Sequence, residues 1–478
     1  MRHCYKLLRL GALMMLTQSA SSAPGDLDAD FAIKNNWPFL AMQSEGKIFL
    51  IGGSLNQEEF HSNGVVWVNA NGTLSKAQNL SIWPGAIQCM AAQDDEAVII
   101  GGEFRKIGNV GREYIARLSK DGSLDKGFAP NLDGPIYNVL LQPDGKLIIA
   151  GSFTTVSGSA HKYIARLNAN GAVDGTFNPQ VDDAINCLAL QADGKILIGG
   201  KFGAVNGELL YGVARLNDDG TVDHGMKPEV VGYVNCMALQ ADGKIVVGGY
   251  IGSPDGALFR EHFFRLDSSG KIDDGFDPQV NGRVVSIALQ VDGKILIGGE
   301  FTAIAGIERK YLARLNADGV LSKAFDAKIS VPSDNWAMFP SVSGTLLQAD
   351  GKIVVLGSFD KVGESEIRSV ARLSNDDATQ SLTMQSQGRL QWLRSGASPE
   401  AQEVRFDLSK DGGGTWTPLG FGVRINGGWE KTGVSLPAFG LVRARARIPF
   451  GGFARTSSGT VESVLSLGRK WWLLRSQK

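Results

Sequence analysis

One short segment, Gln-x-Asp-Gly-Lys followed by an apolar run, recurs along this chain of 478 residues and constrains its fold more than any other feature. Successive copies start 49 or 50 residues apart, except for a last interval of 58 residues. Self-similarity at such a period is typical of solenoids and propellers. The five clear copies and the two degenerate ones that precede them begin at Gln142, Gln191, Gln240, Gln290 and Gln348, and at Gln43 and Gln93.

Each copy contains four strand signals, which we call a, b, c and d. In the fourth copy they cover residues 185–191, 195–202, 211–217 and 221–226, and Asp-Gly turns join a to b and c to d. Glycine supplies the positive φ of these turns, and the preceding Asp tolerates turn geometry. Four short antiparallel strands, repeated seven times, predict an all-β, seven-bladed β-propeller. A solenoid of such sheets is the alternative.

The two ends of the repeat array favour a ring. Strand d carries the pattern Gly-x-x-Asp-x-x-Phe, which the seventh copy lacks after its strand c ends at Leu373. The same pattern occurs at the other end of the chain as Gly25, Asp28 and Phe31. We therefore expect an N-terminal strand to complete the seventh blade and close the propeller, whereas a solenoid would leave two incomplete edges.

Six copies end strand c in Ala-Arg-Leu or Phe-Arg-Leu, which suggests either a ring of anion-binding arginines or a structural pairing. With a three-residue turn, each arginine faces the strand-d residue eight positions later as a cross-strand pair. Arg314 breaks the pairing because it faces Ser322. We interpret the others as exposed structural pairs worth under about 1 kcal/mol each. They are Arg117–Asp125, Arg166–Asp174, Arg215–Asp223, Arg265–Asp273 and Arg372–Asp28.

The sequence indicates no metal site, cofactor or catalytic residue. Each acidic turn offers one carboxylate where the turn itself needs it, not the converging oxygens of a calcium site. The five histidines lack metal-ligand spacing, and no hydrolase or phosphate-loop signature occurs. Cys89, Cys187 and Cys236 occupy one strand position in different repeats, which predicts buried thiols rather than disulfides.

The N-terminal sequence indicates the cellular compartment of the protein. Residues 1–23 show a basic start, an apolar run at 10–16 and small residues at 20–23, which is the pattern of a secretory signal peptide. The apolar run is too short for a membrane span, which needs about 20 residues. A formal net charge of -1 argues against a nucleic-acid partner. We predict a secreted or cell-surface protein with no transmembrane segment after signal removal.

The repeat is lost after Leu373, which suggests the domain boundaries. We predict a propeller over 24–375, a linker over 376–381, a small β-sandwich over 382–465 and a tail over 466–478. Strict alternation over 442–448 places Arg443, Arg445 and Arg447 on one solvent face as a small basic patch.

Three resemblances follow from these motifs. The full repeat, Leu-Gln-x-Asp-Gly-Lys-Ile-x-Ile-Gly-Gly-x-Phe with Ala-Arg-Leu-Asn-x-Asp-Gly and Asp-x-x-Phe-x-Pro, closely resembles the delta-60 repeat of secreted bacterial proteins over about residues 25–375. That resemblance implies a β-propeller and no particular activity. Residues 382–465 resemble a fibronectin type III domain. Residues 409–416 match the Asp-box of sialidases and other β-proteins, where the motif stabilises a hairpin and is not catalytic.

The function most consistent with this organisation is a non-catalytic binding or scaffold protein. The a–b and c–d turns are stereotyped, whereas the b–c and d–a loops on the opposite face differ between copies and form a display surface for a glycan or protein. Trp37, Trp83, Trp336 and Phe339 are its candidate ligand-binding residues, and local packing of these aromatic side chains is the alternative. The alternatives are a glycoside hydrolase or lyase with acids at the central channel, and a structural cell-surface module.

Overall fold

A computed structural model describes residues 22–31, 38–44, 47–52, 63–83, 85–94, 97–228, 231–252, 259–331, 341–386, 388–452 and 455–468. Every regular element in these ranges is a β-strand, which confirms the all-β prediction. Among the described residues, no helix is long and apolar enough to cross a membrane.

The repeats, numbered 1 to 7 in chain order, each give an antiparallel unit of strands a, b and c. The strands of repeats 1 to 3 are β1 (Pro38–Ser44), β2 (Lys47–Gly52), β3 (Asn63–Asn69), β4 (Leu74–Trp83), β5 (Ile87–Ala92), β6 (Val98–Gly102), β7 (Lys106–Ile107), β8 (Val110–Gly111), β9 (Ile115–Leu118), β10 (Ile136–Leu141), β11 (Leu147–Gly151), β12 (Thr155–Val156), β13 (Ser159–Ala160) and β14 (Ile164–Leu167).

The strands of repeats 4 to 7 are β15 (Ile185–Leu190), β16 (Ile196–Gly200), β17 (Ala204–Val205), β18 (Glu208–Leu209), β19 (Val213–Leu216), β20 (Val231–Leu239), β21 (Ile245–Gly252), β22 (Phe259–Leu266), β23 (Val284–Leu289), β24 (Ile295–Gly299), β25 (Ala303–Ile304), β26 (Ile307–Glu308), β27 (Leu312–Leu315), β28 (Ile329–Ser330), β29 (Ser341–Leu347), β30 (Ile353–Ser358), β31 (Lys361–Val362), β32 (Ser365–Glu366) and β33 (Val370–Leu373).

The Asp-Gly turn sets the register of each a–b hairpin. In repeat 4, Gly194 has a φ of 86°, and its N–H donates to the carbonyl of Gln191 at 3.0 Å. This turn pairs Cys187 with Gly199 across the hairpin. A side chain at Gly199 would put its Cβ 2.6 Å from the Cys187 sulfur, so a glycine is needed there. The three cysteines are buried and unbridged, as predicted.

Two details differ from the expected four-strand repeat. Strand d is reduced to a single bridge, such as Leu216 to Val222, except in repeat 1, where β4 is a full strand. The strand stops because Asp223 starts a turn, with its Oδ1 accepting from the Gly225 N–H at 3.0 Å. In addition, the b–c connection contains a small hairpin whose two strands have two residues each, as β17 and β18 do in repeat 4.

The apolar cores lie between repeats rather than within them. Residues of repeats 3 and 4 share one buried cluster, and comparable clusters join the other consecutive repeats. A further cluster joins repeat 7 to repeat 1 and includes the N-terminal Phe31. The first strands contact one another in the same cyclic order, and β29 contacts β1.

Residues 25–28 lie against the last strand of repeat 7. Leu27 bridges Leu373, the N–H of Asp28 donates to the Arg372 carbonyl at 2.8 Å, and the N–H of Gly25 donates to the Ser374 carbonyl at 2.8 Å. This position corresponds to strand d of the other repeats.

The C-terminal residues form two four-stranded sheets, which we call the C-terminal module. One sheet has the order β34-β35-β39-β38, and the other has the order β37-β36-β40-β41. Their shared core is built around Trp392 and Phe406. The strands are β34 (Ala378–Ser386), β35 (Arg389–Gly396), β36 (Glu403–Ser409), β37 (Thr417–Phe421), β38 (Val423–Ile425), β39 (Gly428–Lys431), β40 (Gly440–Gly452) and β41 (Arg455–Leu467).

The long hairpin of β40 and β41, which we call the axial hairpin, reaches from the module into the repeats. Its two strands together contact the first strand of all seven repeats. Gly451 bridges Ile287 of repeat 6, and Ser458 bridges Ala91 of repeat 2. Strand β34 begins at Ala378, so the predicted linker over 376–381 is largely part of the first sheet, and residues 469–478 of the predicted tail lie outside the described residues.

Candidate functional site

The aromatic residues proposed from the sequence lie mostly beyond the described ranges. Trp37, Trp336 and Phe339 are outside them, and only the backbone of Trp83 is described, where it ends β4 and pairs with Lys106. Their role in ligand binding therefore stays a prediction.

The structure brings every predicted arginine to its predicted aspartate. The Nε to Oδ2 distances are 2.7 Å for Arg117–Asp125, 2.8 Å for Arg166–Asp174, 2.6 Å for Arg215–Asp223, 2.9 Å for Arg265–Asp273 and 2.9 Å for Arg372–Asp28. The expectation of exposed pairs was wrong, because the side chains of Arg166 and Asp174 are only 3% and 8% exposed. Breaking a buried pair costs more than breaking an exposed one, since it leaves an uncompensated charge.

A lysine from the Asp-Gly-Lys turn joins each buried pair in repeats 3, 4, 5 and 7. Lys195 Nζ, for example, lies 3.1 Å from Asp223. Burial alone would raise the pKa of Asp223, but hydrogen bonds from Gly225, Lys195 and Arg215 outweigh it and hold the pKa at about 2. The carboxylate is therefore fully ionised at neutral pH.

The repeated arginine and glutamine also hold the next repeat. Arg166 Nη1 and Gln142 Nε2, both in repeat 3, donate to Asp218 in the c–d turn of repeat 4, at 2.6 Å to the carbonyl and 3.3 Å to Oδ1. In repeat 7, Arg372 and Gln348 donate in the same way to the Ala70 carbonyl of repeat 1. We call this pair of contacts the inter-repeat clasp, and sequence reasoning missed it because its acceptors are mostly backbone carbonyls.

Repeat 6 keeps the arginine contact of the clasp although its aspartate is replaced by Ser322. Arg314 is 1% exposed, contacts Ser322 Oγ at 3.3 Å and pairs with Asp376 of repeat 7 at 3.1 Å. Its guanidinium also lies over the Phe325 ring, at 5.1 Å from the centroid. These guanidinium groups are bonded to neighbouring residues, and all except that of Arg117 are buried, so they do not form an anion-binding ring.

The C-terminal module packs against the face of the repeats that carries the a–b turns. The Val291 N–H donates to the Ser398 carbonyl at 2.8 Å, and Gln380 Nε2 donates to the Ala349 carbonyl at 2.8 Å. At repeat 2, Arg445 Nη1 donates to the Asp94 carbonyl at 2.9 Å. The module thus contacts a–b turns from several repeats.

The predicted basic patch at Arg443, Arg445 and Arg447 is wrong. Arg443 and Arg445 have side chains 7% and 4% exposed, because strand pairing places Arg443 opposite Asp407 and Arg445 opposite Glu462. The alternation in β40 does place these arginines on one face, but they pair there with acidic residues of neighbouring strands and do not face solvent.

A cavity of about 220 Å³ lies between the module and the a–b turns of repeats 3 and 4. Leu141, Gln191, Trp429, Arg447 and Glu403 are among its lining residues. Burial raises the pKa of Glu403, an effect partly offset by Arg447 at 3.5 Å. Glu403 is the only carboxylate among the lining residues of this cavity, whereas glycoside hydrolysis requires two flanking the scissile bond. The cavity therefore lacks the acid pair expected for such an enzyme.

The Asp-box residues form the turn between β36 and β37. Asp411 accepts from Thr415 Oγ1 at 2.6 Å, from the Thr415 N–H at 2.9 Å and from Ser409 Oγ at 2.7 Å, and these bonds lower the pKa of the Asp411 carboxyl. Arg443 lies over the Trp416 ring at 4.2 Å. All these interactions hold the turn, as the motif implied.

Sequence reasoning missed four exposed apolar side chains in repeats 4 and 5, on the face opposite the module. Leu209 is 71% exposed, and Tyr211, Tyr233 and Tyr250 are 40%, 46% and 38% exposed. The signal was available in the alignment of the repeats, because the equivalent positions hold mostly charged or small residues elsewhere.

Together, the recurring three-strand units, the cores between repeats and the clasp define a β-propeller repeat protein. Residues 93–128, 142–177, 191–225, 240–276, 290–321 and 348–378 match the family described as "Domain of unknown function (DUF5122) beta-propeller". No curated protein matches the chain.

Several solved structures resemble the chain at low identity. They include a protein from Lactobacillus plantarum (14% identity, 70% of this chain and 100% of that chain covered, TM-score 0.37). A putative exported protein from Bacteroides fragilis (9%, 74% and 93%, TM-score 0.30) is similar. So is MPT-4, a mannose phosphorylase from Leishmania mexicana in complex with phosphate ion (11%, 75% and 88%, TM-score 0.27). At such scores the likeness carries no functional implication.

Proposed function

We propose that this protein is a secreted, non-catalytic binding or scaffold protein that presents the b–c and d–a loops of a β-propeller to a partner. The observation that carries the proposal is the position of the C-terminal module, which contacts a–b turns of several repeats and sends the axial hairpin along the first strand of every repeat. The opposite face is the one left for a glycan or a protein.

The proposed architecture is a ring of seven blades closed by residues 25–31. The cyclic order of contacts among the first strands, the core shared by repeats 7 and 1, and the pairing of Asp28 with Arg372 support closure. A solenoid would leave repeats 1 and 7 apart.

The proposed chain organisation begins with a signal peptide over residues 1–23, followed by the propeller over 24–375 and a fibronectin type III-like sandwich over 382–465. The repeat match and the two packed sheets of the module support this division. We propose an extracytoplasmic location from the signal-peptide pattern. No nucleic-acid partner is proposed, because the charges of the chain balance.

An enzyme with acids at the central channel is the less favoured function. The axial hairpin lies along the strands that would line such a channel, and the described cavity beside it has a single carboxylate. A purely structural module is the remaining alternative, and it predicts no partner at all.

The proposal is tested by blocking one face at a time. Ser159→Cys places a thiol on an exposed b–c hairpin, and Asp144→Cys places one on an exposed a–b turn. Each variant is coupled to a bulky maleimide polymer. Cys89, Cys187 and Cys236 are buried, and burial raises the pKa of the Cys236 thiol to about 12, so these three thiols should not react. Cys4 lies in the predicted signal peptide, so the mature form of the protein is used.

Binding of the labelled proteins is then measured on a glycan array and on a panel of immobilised extracellular proteins. We expect the label at Ser159 to reduce binding and the label at Asp144 to leave it unchanged. Equal loss from both labels, loss only from the a–b side, or no binding by the unlabelled protein would contradict the proposal.

A further inference from the structure

Four exposed apolar side chains of repeats 4 and 5, which we group as the tyrosine patch, are Leu209, Tyr211, Tyr233 and Tyr250. Tyr233 and Tyr250 are directly opposed across β20 and β21, and their rings stack with centroids 5.9 Å apart and planes 20° apart. Tyr211 belongs to the adjoining repeat, just before Gly212. A β-carbon on Gly212 would lie 3.3 Å from the Tyr233 α-carbon, so the two segments are in contact.

The other repeats show that this cross-strand pair does not need aromatic residues for folding. The positions of Tyr233 and Tyr250 are held in repeat 6 by Arg283 and Glu300, which form an ion pair at 3.6 Å. In repeat 7 they are held by two serines, paired in the same register. The propeller thus accepts charge or small polar groups here, and the stacked tyrosines require a reason other than stability.

The position of Tyr211 likewise accepts a charged residue in other repeats. Repeats 3 and 6 have Lys162 and Lys310 there, each followed by a tyrosine with positive φ. In repeat 4 a tyrosine stands where those repeats have the lysine, and Gly212 takes the positive-φ position. Only glycine fits, because a β-carbon would lie 2.6 Å from the Gly232 carbonyl oxygen. The aromatic residue therefore stands one position earlier than in repeats 3 and 6, at Tyr211, which is 40% exposed.

A carboxylate borders the aromatic surface. Asp182 Oδ1 accepts from the Gly203 N–H at 2.9 Å, which fixes the side chain. A β-carbon built on Gly203 would lie 3.4 Å from Asp182 Oδ2 and 3.9 Å from the Tyr211 ring, so the carboxylate and the ring flank the same glycine. An apolar ring face beside a hydrogen-bond acceptor matches a ligand with both C–H faces and hydroxyl donors.

We propose that the tyrosine patch is a binding site for a neutral oligosaccharide, an inference that rests on the proposed function and names its ligand class. The tyrosine rings offer apolar faces to the C–H faces of a sugar, and Asp182 accepts hydrogen bonds from hydroxyl groups while disfavouring acidic sugars. A protein partner is the less suited occupant. A specific interface buries about 800 Å² per partner, whereas this patch spans four side chains and is bordered by charged positions of the neighbouring repeats.

The test uses substitutions that the protein itself already tolerates. In the patch variant, Tyr233→Arg and Tyr250→Glu recreate the ion pair of repeat 6, and Tyr211→Lys recreates repeats 3 and 6. The matched control replaces Arg283 and Glu300 with serine, as in repeat 7. Both variants are expected to retain the wild-type circular dichroism spectrum and melting temperature, which checks that the fold is intact.

Binding of neutral and acidic oligosaccharides is measured on a glycan array, with affinities of the hits from titration calorimetry. We expect the wild type and the control to bind neutral glycans and the patch variant to bind them at least about tenfold more weakly. A second variant, Asp182→Asn, should keep the bond to Gly203 and lower the affinity less.

The remaining outcomes separate this inference from the proposed function. Neutral glycans that bind the patch variant as tightly as the wild type would overturn the tyrosine patch while the loop face still binds a ligand. No glycan binding, together with a protein ligand blocked by the label at Ser159, would overturn the glycan class alone. Binding of neither glycans nor proteins would overturn both.

Discussion

Replacing Phe31 by alanine tests whether the N-terminal segment completes the ring. Phe31 is 3% exposed and packs into the core shared by repeats 1 and 7, beneath Arg372, whose guanidinium lies 4.9 Å from the ring centroid. A Phe→Ala change in a core costs about 3–5 kcal/mol, because transfer energy is lost and a cavity remains. We therefore expect Phe31→Ala to lower the free energy of unfolding by about that amount, although the residue is far from repeat 7 in sequence.

The matched control is Phe177→Ala, at the same position of an internal repeat. Phe177 is fully buried beneath Arg166 at 5.0 Å, so its environment repeats that of Phe31. Both variants are unfolded with urea, and the transition is followed by circular dichroism. Similar losses in the two variants would agree with a closed ring. A large loss for Phe177→Ala with an unchanged transition for Phe31→Ala would refute the reasoning, since the N-terminal segment would then contribute nothing.

Three other perturbations probe the repeats and the module. Gly199→Ala should destabilise by about 1–3 kcal/mol because its Cβ meets the Cys187 sulfur, whereas Gly175→Ala, with open space around it, should change the urea midpoint little. Asp223→Asn should be less stable than the wild type at neutral pH. The difference in the free energy of unfolding between the two proteins should shrink as the pH falls from about 4 through the folded-state pKa of about 2. The reason is that a carboxyl group with a lowered pKa stabilises the folded state only while it is ionised. Asp94→Ala removes the partner of Arg405, Arg445 and Arg447 and should speed proteolysis of the C-terminal module; an unchanged rate would contradict the docking contacts.

The parts of the fold set by local geometry could be predicted from the sequence. The Asp-Gly turn fixes how many residues separate facing positions, so the offset of eight from Arg166 to Asp174 could be counted without coordinates. The same counting placed Asp28 opposite Arg372. Strand d was predicted too long because Asp223 both pairs with its arginine and begins the next turn, and a pattern of apolar residues does not show that second role.

The parts that depend on neighbouring segments could not be predicted. Burial of Arg166 results from the c–d turn of the following repeat, whose Asp218 carbonyl accepts one of its hydrogen bonds. The alternation of Arg443 and Arg445 correctly gave a shared face, but the acidic residues opposite them come from β36 and β41. The axial hairpin was missed because nothing in its own sequence requires it to lie along the first strands of another domain.

In a repeat protein, equivalent positions of the other repeats show which residues the fold requires. This comparison is possible for the tyrosine patch, whereas the predicted tryptophans lack a shared position in the repeat. Positions that hold the fold, such as the clasp arginine, recur with the same chemistry, or are compensated when they change, as Asp376 compensates for Ser322. Tyr233 and Tyr250 do the opposite, because they replace an ion pair or two serines without a structural need. Departures from the repeat that expose apolar surface are therefore where a partner is most directly indicated.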